Sequence, residues 1–358
     1  MKVLIDLRMV RGPLHGIARY ALELARRMPA LEPSWHFVGL APRGGLPDHL
    51  GPLAPRIPLI RASAEFLSPL EQPTLTADLM RARADLVHAT SFSLPALWPG
   101  KLVATIHDAN HLALPESSSL THTAYYRLVV APRARKAEAL ITVSEFSRNE
   151  LATHLGLMPE RLQVIYNGVD PSFHVPPQGE LDEFRARRGL PPRYFAAIGN
   201  QKAFKNLRVL LPIVDALPAP LVLLAGRGAR RHLGFGDAVL ELSPLPDDEL
   251  VRFYAASLAV LIPSRYEGFG LPALEALACG VPVIASDAGA HPEVLGQTGL
   301  LVPPSNPLAW REACQRVLRD DVLRKRLQRD GPERAARFSW DDCARQTLQV
   351  YRRALGLT

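Results

Sequence analysis

Several things this chain lacks narrow its reading before anything it has. Only three cysteines occur, Cys279, Cys314 and Cys343. They are odd in number and without metal-ligand spacing, which argues against a disulfide framework or a cysteine-held zinc and leaves them as small buried or neutral residues. Aromatic residues are 7% of the chain and sit mostly in apolar runs, so the basic stripe interleaved with exposed aromatics that a nucleic-acid surface needs is missing. No stretch approaches the roughly 20 apolar residues of a membrane-spanning helix. The N-terminal MKVLIDL enters a strand without a signal-peptide pattern, which gives the cytoplasm as the expected location. Asp-x-Asp occurs nowhere, so no carboxylate pair of that kind is available to hold a divalent metal on a phosphate, and neither metal nor cofactor is expected. Lysine is scarce: Lys2, Lys101, Lys136, Lys202, Lys205 and Lys325 are the six among 42 basic residues.

What is present fits a two-domain globular enzyme. The 358 residues are 47% hydrophobic and 22% charged, enough for two ordinary domains, each with its own core. A net charge of +7 points to anionic partners, with nucleotide sugars and anionic lipid surfaces ahead of nucleic acid. Arg127, Arg133, Arg135 and Lys136 fall on one predicted helix, YYRLVVAPRARKAEAL. That helix suggests peripheral contact with the inner membrane face, a solvated basic face being the plainer alternative.

Apolar strands alternate with helices in both halves, the pattern of an α/β protein with parallel sheets wrapped by helices. KVLIDL, HFVGL, LVHAT, KLVATIHD, ALITVS and LQVIYN read as strands of the first half, with helices over 17–28 and 145–155. The Pro- and Gly-bearing PSFHVPPQGE marks a boundary, after which RYFAAIG, LVLLAG, AVLELSPL, LAVLIPS, VPVIAS and GLLVPP restart the pattern. The expected domains are 1–168, 169–339 and a terminal helix, 340–358. In FSWDDCARQTLQVYRRAL the residues Trp340, Cys343, Thr347, Val350 and Tyr351 share one helical face. Two doubly wound domains meet at a cleft, with ligands outside the carboxyl ends of the strands.

The most informative segment is SRYEGFGLPALEALACGVPVIASDAGAHPEVL, residues 264–295. An apolar strand precedes it, Pro272 stands in the first turn of a predicted helix, Gly280 ends that helix, and VPVIAS starts the next strand. Glu267 and Glu275 therefore flank a strand-to-helix corner. There the amides of Gly268, Phe269, Gly270 and Leu271 and the helix dipole suit phosphate oxygens, while Glu275 suits a ribose diol. Spacing alone is no proof, because Glu241 and Glu249 stand equally far apart with no such flanks. A competing pattern also exists: Gly268, Gly270 and Ala273 satisfy Gly-x-Gly-x-x-Ala, and Asp287 ends the next strand, as in an NAD-dependent oxidoreductase.

Taken together, Gly16-Ile17 in HGIARY, Thr105-Ile106-His107-Asp108, VSEFSRNEL, YNGVD, Lys205-Asn206, EGFGLPALE, AHPEVL and GLLVPP run nearly end to end. With them the chain resembles the GT4 family of retaining glycosyltransferases, and within it bacterial mannosyltransferase-like members. The resemblance implies the GT-B fold, with the terminal helix crossing back to the N-terminal domain. It also implies transfer of a hexose, mannose favoured, from a nucleotide diphosphate sugar to an acceptor hydroxyl in polysaccharide or glycolipid synthesis. The acceptor would be a saccharide or lipid-linked saccharide, chosen by loops around 42–76 and 109–124.

By the same likeness Gly16 lets donor and acceptor approach the backbone, His107 contacts the donor hexose, Glu267 the transferred sugar, Glu275 the ribose and Lys205 the diphosphate. Asp108 stands beside His107, and the sequence leaves open whether it orients the ring. The family adds an arginine in the lysine loop where this chain has Asn200 and Phe204. Lys202, two residues after Asn200 in the donor-binding loop, is the favoured substitute, with Arg227 or the helix terminus as alternatives. Those departures also leave open a non-catalytic sugar-nucleotide-binding subunit.

Overall fold

A computed structural model describes residues 1–357 apart from 13–14, 48–52, 54–56, 69, 115 and 117–118. The loops 42–76 and 109–124 assigned to acceptor choice therefore lie partly outside the described residues. The apolar runs form two all-parallel sheets. In the first, β1 (Lys2–Asp6), β2 (His36–Ala41), β3 (Leu59–Arg61), β4 (Leu86–Ala89), β5 (Leu102–Thr105), β6 (Ala139–Thr142) and β7 (Leu162–Val164) lie in the order β3-β2-β1-β4-β5-β6-β7. In the second, β8 (Phe195–Ile198), β9 (Leu221–Leu224), β10 (Leu240–Glu241), β11 (Ala259–Ile262), β12 (Val283–Ser286) and β13 (Leu300–Val302) lie in the order β10-β9-β8-β11-β12-β13.

Each sheet thus grows outward from its first strand and then reverses, β1 pairing with β4 through Leu4↔Val87 and β8 with β11 through Ala197↔Leu261. Such switch points leave a crevice at the carboxyl ends of the strands, where ligands bind. Strands β4, β5, β8 and β11 are buried at every position. Helices cover both faces of a parallel sheet, and that requires continuous apolar runs.

The chain divides into two compact units, Met1–Gly168 with Trp340–Thr358, and Val169–Ser339. In the first, the helix Trp340–Leu355 packs along the helix Gly16–Leu31. Its buried face holds Trp340, Cys343, Thr347, Val350 and Tyr351. The second unit has its own core, in which Phe195, Leu223, Leu261 and Trp310 are at most 1% exposed.

Some local expectations are revised. Strand β3 and the helix Glu71–Ala82 were not visible in the pattern, and AVLELSPL supplies only the two residues of β10. The basic segment is not one continuous α-helix with a shared charged face. A π-helical stretch Tyr126–Val130 leads into a helix ending at Arg135, and buried Arg133 donates to the carbonyls of Pro95 and Trp98. Arg135 donates to Leu155 O. Two of the four cations thus serve the fold. Among the described residues no helix is long and apolar enough to cross a membrane.

Candidate functional site

In the second unit β11 ends at Ile262 and the chain turns through Gly268-Phe269-Gly270 into the helix Leu271–Ala278. Gly270 has φ +94°, a conformation that costs a side-chain-bearing residue dearly, and Pro272 fits a position whose amide would have no helical partner. Ala273 N and Leu274 N both donate to Gly270 O, at 3.0 and 3.3 Å. The amide of Leu271 at the helix start has no acceptor within the helix, so its dipole end is aimed outward.

Glu267 is seated on the next connection. Ala290 N donates to Glu267 O at 3.0 Å, and a Cβ on Gly289, whose φ is +62°, would stand 2.7 Å from Glu267 N and 2.9 Å from its O. Only glycine permits that approach.

The lysine loop reaches the same place. After β8, Asn200 Oδ1 accepts from Lys202 N at 3.0 Å, and a short 3-10 turn, Ala203–Lys205, brings Lys205 Nζ to 2.6 Å from Glu267 Oε1. The two side chains are 15% and 12% exposed. Burial raises the Glu267 pKa, but the charge of Lys205 and the hydrogen bond it donates outweigh it and hold the carboxyl below its ordinary range. Glu267 is therefore an ionised acceptor. Phe204 is buried, and Lys202 Nζ and Lys205 Nζ lie 5.8 and 5.5 Å from its ring centroid. The Phe204 ring thus gathers two lysines. Arg265 N donates to Phe204 O at 2.8 Å and ties the two loops together.

The structure thus brings Lys205, Glu267, Gly270 and Leu271 into one corner, with Lys202 beside it. Asn200 is exposed and shapes the loop through its side chain. Phe269 turns its ring inward against Phe338, at 5.8 Å between centroids, so it offers the corner only its backbone. Glu275 is 7% exposed and accepts from the Tyr254 hydroxyl at 3.1 Å. Arg227 is exposed on a separate loop, with its carbonyl accepting from Gln201 Nε2.

In the first unit Gly16 is exposed and starts its helix, capped by His15. Buried His107 donates from Nε2 to Thr90 O at 3.0 Å, which leaves Nδ1 as the acceptor of the neutral ring. Burial lowers its pKa to about 4, so the ring is neutral at pH 7. The Tyr20 ring stands edge-on to it at 4.8 Å. Behind them Thr105 Oγ1 is 2.8 Å from both Tyr20 Oη and His88 Nε2, and His88 Nδ1 is 2.6 Å from Tyr351 Oη. Asp108 Oδ1 accepts from Asn110 N at 3.1 Å.

Sequence reasoning did not single out Tyr254 or His291. His291 is fully buried, starts the short helix His291–Leu295, and contacts Ser286 O through Nδ1 at 3.1 Å. A histidine before a proline in the first turn after a Gly-Ala pair was the available signal.

Two doubly wound units, the second with a cation and a carboxylate at a free helix terminus, define the GT-B class. The description Glycosyltransferase Family 4 matches residues 14–173, and Glycosyl transferases group 1 matches 184–334. The chain is 29% identical to the O-antigen chain mannosyltransferase B of Escherichia coli, over 98% of this chain and all of that one. It is 30% identical to the D-inositol 3-phosphate glycosyltransferase of Streptomyces bingchenggensis, covering 96% and 86%. The structure of Anabaena HepE in complex with UDP-glucose superposes with a TM-score of 0.80 at 20% identity, covering 98% and 99%. The chain belongs to the GT4 family of glycosyltransferases and is a transferase enzyme.

Nothing supports the dinucleotide alternative. Its glycine pattern belongs at the first strand-to-helix turn of a domain, whereas here that turn follows β8 and Gly268-Phe269-Gly270 follows β11, the fourth strand of its unit. The non-catalytic alternative gives way to the family's enzymatic identity.

Proposed function

We propose that this enzyme transfers a hexose, mannose favoured, from a nucleotide diphosphate sugar to a hydroxyl of a saccharide or lipid-linked saccharide, with retention of anomeric configuration. The observation that carries the reading is the Lys205–Glu267 pair at the mouth of an outward-aimed helix terminus. A diphosphate needs fixed positive groups where charge develops as the anomeric carbon–oxygen bond breaks. Lys205 and the amides of Gly270 and Leu271 are preorganised for that task. The electron pair of the breaking bond stays on the diphosphate, and the acceptor hydroxyl attacks the anomeric carbon on the face the diphosphate leaves, passing its proton to the departing phosphate oxygen. Glu267, ionised, accepts from hydroxyls of the transferred sugar, and Glu275 from the ribose. Lys202 supplies the second cation through its place on Phe204. His107, neutral, offers Nδ1 to a sugar hydroxyl, and no covalent residue or metal is assigned a role.

Mannose is favoured because the E. coli relative that matches over the full length is an O-antigen chain mannosyltransferase. The test is thermal stabilisation by a panel including GDP-mannose and UDP-glucose, followed by slow donor hydrolysis without acceptor. Stabilisation and hydrolysis with GDP-mannose above the others are expected. A chain that no nucleotide sugar stabilises would sink the reading.

A further inference from the structure

His291 is an unexplained residue at this site. Its ring is fully buried, and with Nδ1–H given to the Ser286 carbonyl its Nε2 has no hydrogen-bond partner among the described residues. An orphaned buried nitrogen calls for a reason. It lies directly beneath the glycine turn: a Cβ on Gly270 would be 3.2 Å from His291 Cδ2 and 3.6 Å from Nε2. The charged groups facing it are Glu267 from the turn and Lys205 from the loop after β8. Asp287 and Glu293 stand on its own segment.

We propose that His291 is a proton-linked positioning residue of the donor site: when a diphosphate anion rests on the Gly268–Gly270 turn, Nε2 takes up one proton from solvent, and the imidazolium holds the turn and Glu267 in register while balancing the added charge. This rests on the donor reading above. Without ligand the ring is neutral near pH 7, because burial lowers its pKa and Lys205 adds to that, against the raising effects of Glu267 and the Ser286 carbonyl. A diphosphate placed beside Lys205 offsets the cation and supplies fresh negative charge across a few ångströms of poorly screening protein. The ring does not touch the ligand; it acts through the turn above it.

The sign follows from linkage. The bound state holds one proton more than the free state between the two pKa values of the ring, so donor affinity weakens as pH rises through the bound-state pKa and levels off above it. The slope reaches at most about tenfold per pH unit.

The test is calorimetry of the full-length enzyme with GDP-mannose and with UDP-glucose between pH 5.5 and 8.5, in buffers of different ionisation enthalpy. The diphosphate of a nucleotide sugar is a diester with no titration in that range, so any proton taken up belongs to the protein. Uptake of a substantial fraction of one proton is expected, lost in His291→Gln, whose affinity stays flat with pH and matches wild type at the alkaline end. NMR of the ring carbons should show His291 becoming protonated on donor binding. Binding without proton uptake, or uptake that survives in His291→Gln, overturns the His291 proposal and leaves the donor reading standing. Failure of the wild type to bind either sugar nucleotide overturns both. If His291→Gln does not fold, His291→Asn and the NMR titration of the wild type decide, and an unchanged ring spectrum on binding overturns the proposal.

Discussion

Gly289→Ala perturbs the site without touching a charged group. The new Cβ would stand 2.7 Å from Glu267 N and 2.9 Å from Glu267 O, both backbone atoms that cannot swing aside. Alanine at φ +62° costs about 1–2 kcal/mol in backbone conformation, and pushing the Glu267 backbone away costs about 1–3 kcal/mol more. Gly228→Ala is the matched control, since Gly228 has φ +71° and nothing within 4 Å of its Cβ position; it should lose only the conformational part. Thermal unfolding of both variants, which alter the same unit, should put Gly289→Ala below Gly228→Ala by at least about 3 °C. Displacing Glu267 by a few tenths of an ångström should also lower kcat/KM about tenfold or more, with Gly228→Ala near wild type. Equal melting temperatures with unchanged kcat/KM would refute the tight seat under Glu267.

Further predictions concern the charges and the fold. Lys205→Ala should lower kcat by about a hundredfold or more through loss of charge stabilisation. Glu275→Ala should act mainly on donor affinity, weakening it by about 1.5–3 kcal/mol, the worth of a hydrogen bond to a charged group. Steady-state kinetics and donor titration separate the two, and equal, negligible effects would remove both assignments. Burial pushes His88 to about 3 and His107 to about 4. Both groups are depressed relative to the unfolded chain, which therefore binds more protons below pH 6.5. Denaturant titration should show stability constant above that pH and falling as acid is added, by up to about 3 kcal/mol per histidine at pH 4; His88→Gln and His107→Gln should each flatten the fall. Deleting residues 340–358 should leave Tyr20 and His88 without Trp340 and Tyr351 and depress folding and activity. A truncated enzyme with unchanged melting and turnover would contradict that.

Much of the fold was legible because its signals are local. Strands buried on both faces read as unbroken apolar runs, and the glycine corner carries its own punctuation in Pro272 and Gly280. β3 escaped because it is only three residues long, with Leu59 and Arg61 exposed and Ile60 half-buried. The segment Leu207–Ala216 forms 3-10 turns with Pro212 inside it, although its apolar residues recur at helical spacing. The basic face at 127–136 failed for a different reason, since Arg133 is held by carbonyls contributed 35 and 38 positions away. At the site, Lys205 and Glu267 could each be assigned from their flanks, but their direct pairing spans 62 positions and depends on two loops meeting. Tyr254 escaped for the same reason, and His291 showed only its place before a proline: what they do follows from neighbours distant along the chain.

The placement of the terminal helix also bears on how the protein is made. The ribosome completes residues 169–339, a contiguous unit with its own core, before it releases the helix that finishes the first unit. Until then the nascent segment 1–168 lacks the cover for Tyr20 and His88 and presents unfinished apolar surface. Late in synthesis the earlier-born half is thus the more vulnerable to aggregation and proteolysis, and chains that stall before Trp340 should be degraded from their N-terminal side.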